Sequence, residues 1–257
     1  MPGFMPGRQN LQGASERRCY NSGMRAARPP LALRLTATLV LLVSALPSRA
    51  QTQAKAIPLG SLEGLKAHKV KAEPVTFRGR GALRVTDAVS TAGAGDEDRL
   101  VILTGTTFQD GVIEVDLAGE PGPGASEQAR GFVGVAFRVA PDVSRFECIY
   151  LRPTNGRADD QVRRNHSVQY ISFPDFPWYR LRKEQPEKYE TYADVVPGEW
   201  TTVKIEVRGI KARLYVHGAT QPTLLVNDLK LGQAEGAIGF WIGPGTVAHF
   251  SNLRVTQ

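Results

Sequence analysis

From residue 82 onward, apolar and polar positions alternate with a period of two in short runs, separated by turn residues. That period is the mark of strands with one face buried. The pattern predicts strands over 82–86, 100–103, 111–117, 131–139, 146–152 and 167–173. Further runs cover 200–208, 212–217, 224–226, 236–242 and 248–255, with 200–208 and 212–217 forming a hairpin around Gly209-Ile210-Lys211. In the run 131–139, Val133, Val135, Phe137 and Val139 fall on one face. Glu120 to Ala129 reads as a loop. No strand period survives in 152–166 or 174–198, although 177–189 has room for a helical turn or two. Irregular stretches of that length inside a domain are usually functional or disordered. Many short strands punctuated by Gly and Pro predict an all-β sandwich or barrel, not a βαβ fold.

The first fifty residues follow a different rule. Arg25, Arg28 and Arg34 precede or flank an apolar run from Leu35 to Leu46, and Ser48-Arg49-Ala50 offers small residues of the kind a signal peptidase reads. The run is shorter than the ~20 residues a membrane-spanning helix needs. A signal peptide over 24–50 is therefore expected, with no permanent membrane anchor, and periplasmic or secreted localisation follows. Residues 1–23 show no periodicity and read as a disordered extension, with Met24 as the expected start; residues 51–257 form one β-sandwich domain.

This division changes the meaning of the charge. The sequence has 32 basic and 25 acidic residues, but seven of the basic ones and a single acid precede Gln51. The remainder carries 25 basic and 24 acidic side chains, a formal +1. The high isoelectric point belongs to the leader, so it gives no support for nucleic-acid binding, which needs a basic patch on the folded domain. Of the two cysteines, Cys19 precedes Gln51 and Cys148 follows it. No internal disulfide is available to the mature chain, and Cys148 reads as a small, half-buried strand residue.

Several segments carry a family resemblance. Phe108-Gln109-Asp110-Gly111 leads into the alternating acidic strand Val112 to Asp116, and Gly131 to Arg138 follows it. Gly198-Glu199-Trp200 precedes a strand and hairpin, and Gly236 to Gly243 with His249 to Val255 closes the chain. Together these resemble the concanavalin A-like lectin and glucanase group over roughly 83–255, most closely its 3-keto-disaccharide hydrolase and laminin-G-like members. The resemblance implies a jelly roll of two antiparallel sheets with a concave sheet that receives saccharides. Function is argued from the site, because fold alone does not fix it.

Glu114 and Asp116 alternate away from Ile113, Val115 and Leu117 and project toward solvent or a groove. Paired carboxylates are what glycoside hydrolysis needs, one protonated and one ionised, so these two are the candidate catalytic residues. The pair resembles the acidic strand of the glucanases but departs from it: a third acid is missing where Leu117-Ala118-Gly119 stands.

A second constellation lies in the loops. Arg152, Asn155, Arg157, Asp159, Asp160, Arg163, Arg164, Asn165 and His166 are soon followed by Phe173, Phe176, Trp178, Tyr179, Arg180 and Arg182. Aromatic faces suit sugar C–H surfaces, and Arg and Asn suit hydroxyls. Arg138, Tyr150 and Arg152, with Trp241, are expected on the same side as Glu114 and Asp116. The candidate substrate-binding set is thus Arg138, Tyr150, Arg152, Asn155, His166, Trp178, Tyr179 and Trp241.

No cofactor is expected. Asp159-Asp160 or Gly95-Asp96-Glu97-Asp98 are the weaker alternative as calcium ligands, without a known loop spacing. His68, His166, His217 and His249 are scattered and form no zinc motif. The sequence leaves glycan hydrolysis, glycan binding and a structural or adhesive envelope role as the functional classes, with carbohydrate the expected partner. Oligomeric state is not readable from it.

Overall fold

The computed structural model describes residues 54–88 and 98–257, all within the unit 50–257. The leader, the 1–23 extension and 95–97 of the acidic loop lie outside the described residues. The described residues form fifteen strands and three short helices. They are β1 Lys55–Ile57, β2 Leu65–His68, β3 Val70–Phe77, β4 Arg80–Asp87, β5 Leu100–Phe108, β6 Gly111–Pro121, β7 Val133–Val139 and β8 Phe146–Leu151. Helices α1 (Pro153–Gly156) and α2 (Gln161–Asn165) lead to β9 Val168–Phe173, and α3 (Trp178–Glu184) leads to β10 Glu190–Thr191. The chain closes with β11 Thr201–Arg208, β12 Lys211–Val216, β13 Leu224–Val226, β14 Gly236–Ile242 and β15 Thr246–Thr256.

These strands build two antiparallel sheets. The first runs β13-β12-β11-β6-β15-β4-β3, with β1 also paired to β15; the second runs β10-β9-β8-β7-β14-β5-β2. The expected all-β jelly-roll sandwich is the observed fold, and the 200–217 hairpin is present as β11 and β12.

Alternation explains the core. Ile113, Val115 and Leu117 of β6 are buried toward the second sheet. From that sheet Phe240 answers Phe250 of β15 with stacked rings 4.3 Å apart. Val135 is opposite Phe240 in register, so Val133, Val135 and Phe137 share the inner face as their spacing predicts.

One part of the second sheet departs from simple alternation. Every residue of β7 and β8 is buried, including those that point away from the first sheet. Part of the cover comes from α3, which packs against β9 and brings Trp178 to the Arg152 side of the sheet. Cys148 is accordingly fully buried, not half-buried. Gly134 is required in this layer: a Cβ there would lie 2.4 Å from the Cβ of Tyr150. Its absence lets the Tyr150 ring settle beside Trp241, with centroids 4.6 Å apart.

Candidate functional site

A cleft of about 1190 Å³ opens at the end of the sandwich, where the outer face of the second sheet meets the loops 122–130 and 244–247. This exceeds the roughly 300–1,000 Å³ of ordinary small-ligand sites. Phe132, Arg152, Asn155, Arg163, His166, Trp178, Arg182 and Trp241 line it together with Arg130.

Arg152 organises the wall. It follows β8, and its guanidinium is almost wholly covered. It donates to the His166 carbonyl at 3.0 Å, to Tyr150 Oη at 3.0 Å and to Gln169 Oε1 at 3.2 Å. The same group stands 5.1 Å from the Tyr150 ring centroid, 6.0 Å from that of Phe132 and 5.7 Å from that of Trp178. Cation–π contacts of this kind strengthen where water is excluded.

Helix α3 begins at Trp178 and carries Arg182 one turn later, on the same helix face. Arg182 stands 4.7 Å from the Trp178 ring centroid. It also grips Glu190 of β10 through two hydrogen bonds, 2.7 and 2.6 Å long. Glu190 lies 3.7 Å from Arg152 as well. His166 is 3.7 Å from the same carboxylate, yet burial lowers its pKa below the usual imidazole value, and Glu190 only partly opposes that effect. Asn155 of α1 donates to the His166 carbonyl at 3.3 Å, which ties helix to loop.

Six of the expected binding residues thus meet in one place. Arg152, Asn155, His166, Trp178 and Trp241 line the cleft, and Tyr150 supports Arg152 and Trp241 from beneath. Tyr179 points outward from α3 and is 59% exposed, although it packs edge-on against Trp178.

Arg138 is elsewhere. It is 1% exposed and donates to the carbonyls of Gln109, Gly209 and Gly232 and to Asp110, pinning loops at the opposite end of β7. Its backbone lies at φ 55°, where the β7–β14 pairing is irregular, so strand alternation does not carry through to it.

Glu114 and Asp116 do not share the side of Tyr150 and Arg152. They face outward as alternation predicts, but β6 belongs to the first sheet and β8 to the second. Asp116 is buried and accepts from Arg80 at 2.9 Å, Thr202 at 2.5 Å and Asn252 at 2.6 Å. Glu114 sits opposite Lys204 and Arg254 in register. The period of a strand decides which side chains share a face, while the turn that follows decides which sheet the next strand joins.

Sequence reasoning did not assign Phe132, Arg130, Glu190 or Asp87 to the site. Phe132 and Arg130 had a readable signal, an aromatic and a cation at the end of a Gly-rich loop. Glu190 had none. Of the weaker calcium ligands, Asp160 caps α2 by accepting from the Arg163 amide at 3.0 Å, and Asp98 pairs with His68 and Lys69.

The fold can be compared with solved structures. A carbohydrate-binding module from Bacillus subtilis, CBM66, superposes with a TM-score of 0.52 at 13% identity, covering 76% of this chain and 96% of its own. A Bacillus subtilis protein of unknown function with a galectin-like fold gives 0.51 at 13% identity, covering 80% and 98%. The fold is the concanavalin A-like jelly roll. No family model matches the chain, and no curated protein matches it by sequence.

Proposed function

We propose that the protein binds carbohydrate in the cleft beside Arg152 and Trp178, and that it does so as an exported protein without hydrolysing its ligand. The observation that carries this reading is the pairing of aromatic faces with hydrogen-bonding cations: Phe132, Trp178 and Trp241 share the lining with Arg152, Asn155 and Arg163. Sugar rings present apolar C–H faces and rims of hydroxyls, and such a wall meets both. That CBM66 is itself a carbohydrate-binding module on this fold is consistent with the proposal.

Binding is favoured over hydrolysis by the supply of acids. Glycoside hydrolysis in its common form uses two carboxyl groups flanking the bond. Among the described residues lining the cleft, Asp87 is the only acid, and it is already ion-paired with Arg99 and accepts from the Gly245 amide, each at 2.6 Å.

The test is a titration of the purified protein with a panel of neutral and acidic oligosaccharides, followed by calorimetry and by product analysis. At least one saccharide is expected to bind without release of a shorter product, and Trp178→Ala is expected to weaken it by about tenfold or more. A panel with no binder removes the proposal. Release of reducing ends by the wild type but not by Glu114→Gln moves the function to hydrolysis at the first sheet.

A further inference from the structure

The cleft carries far more positive than negative charge. Lys71, Arg84, Arg130, Arg152, Arg163 and Arg182 line it, against Asp87 as the only carboxylate among the described lining residues. That one acid is matched by Arg99, which does not line the cleft. Arg182 and Arg152 share Glu190, and Arg84 reaches Glu73 at 3.1 Å on the surface.

Arg130 and Arg163 have no such counterion among the described residues. Arg130 donates to the backbone carbonyls of Glu127 and Ala129, and Arg163 donates to Asn155 Oδ1 at 3.4 Å. Arg163 Nε is buried and has no hydrogen-bond partner among the described residues. The Thr246 hydroxyl is in the same condition, on a residue that lines the cleft and is 2% exposed.

The backbone brings these cations together. The Thr154 amide donates to the Arg130 carbonyl at 3.3 Å, which sets the 122–130 loop against α1. Asn155, the next residue, holds Arg163 and the His166 carbonyl to which Arg152 also donates. The effect is visible in Arg130, whose hold on its proton is weakened by burial first, then by the fields of Arg163 and Arg152. Guanidinium groups gathered in a half-covered cleft repel one another unless an anion sits among them. Their planar forks match a carboxylate or sulfate in two parallel hydrogen bonds.

We infer that the cleft selects an acidic saccharide, with the carboxylate or sulfate of the sugar seated between Arg130 and Arg163 and its ring against the aromatic wall. This rests on the carbohydrate reading above and narrows it to one chemical class.

The experiment compares four probes against the purified protein by calorimetry: oligogalacturonate, its methyl ester, a sulfated oligosaccharide and a neutral gluco-oligosaccharide. The acidic glycans are expected to bind at least about tenfold more tightly than the ester or the neutral sugar. Oligogalacturonate as the preferred ligand identifies the anion as carboxylate, and the sulfated probe as sulfate. Arg163→Gln and Arg130→Gln are each expected to cost about tenfold in that affinity with an unchanged melting temperature. Arg163→Lys is expected to recover only part of the loss, since it restores charge but not the fork. Equal or tighter binding of the ester or the neutral sugar overturns the acidic class while leaving carbohydrate binding intact. A panel with no ligand overturns both. Tighter binding of a DNA oligonucleotide than of either acidic glycan overturns the saccharide.

Discussion

Arg182 holds Glu190 with both arms of its guanidinium, Nε to Oε1 at 2.7 Å and Nη2 to Oε2 at 2.6 Å. The Glu190 side chain is 2% exposed, whereas that of Arg182 is 33% exposed. The bond therefore joins a buried carboxylate on β10 to the solvent side of α3, and it keeps Trp178 over the cleft. Replacing Arg182 with Met leaves that carboxylate with only the longer contacts to Arg152 and His166, each at 3.7 Å. A loss of roughly 2–4 kcal/mol in unfolding free energy is expected from denaturant melts. A change below about 0.5 kcal/mol would mean that the longer contacts to Arg152 and His166 suffice.

Asp116 and Glu114 are expected to separate in their effects. Asp116→Ala strands donors from Arg80, Thr202 and Asn252, and should cost about 1–3 kcal/mol in stability. Glu114→Gln lies at an outward position of the first sheet and should change stability by no more than about 0.5 kcal/mol. Neither substitution should alter saccharide affinity in the folded protein, because both residues are outside the cleft lining. Calorimetry on the two variants checks this directly.

His249 stacks on Phe77 with centroids 3.6 Å apart and planes 4° from parallel. Burial, with Arg84 adding to it, lowers its pKa to about 4. The folded value lies below the unfolded one, so the folded state favours the neutral ring. Its contribution is complete above the ordinary imidazole value and is lost as pH falls toward 4. Thermal melts from pH 7 to pH 4 should show a fall on the order of 5 °C more in the wild type than in His249→Gln. Parallel curves would assign the acid sensitivity to other groups.

Glu147 works in the opposite sense. It is buried facing the inner side of the second sheet and accepts from Tyr170 at 2.6 Å and from the Leu231 amide at 2.8 Å. Burial raises its pKa despite those hydrogen bonds. Its stabilising contribution is full below the unfolded carboxyl value and declines as pH rises through the higher folded value. Glu147→Gln should flatten that decline while leaving the melting temperature at pH 7 within a few degrees of wild type, roughly 1 kcal/mol in stability. A steeper decline in the variant would contradict the assignment.

Period-two alternation by itself locates most of the strands and the inward faces of β6 and β7. Side chains on a pleated strand point in turn to opposite sides, and one side has to be apolar. The composition of 152–182 likewise singled out Arg152, Asn155, His166 and Trp178 as candidates, because a solvated linker has no use for that many large aromatics, and these four line one cleft. Three matters were left to the tertiary structure. The sheet to which each strand belongs depends on the path of the turns, and this is why Glu114 and Asp116 lie apart from Tyr150. The burial of both faces of β7 and β8 depends on how α3 packs beside β9, which no local period records. The gathering of Arg130, Arg152 and Arg163 depends on contacts between the 122–130 loop, α1 and α2. Periodicity is a property of neighbours along the chain, whereas a binding cleft is made by residues that only long-range packing brings together.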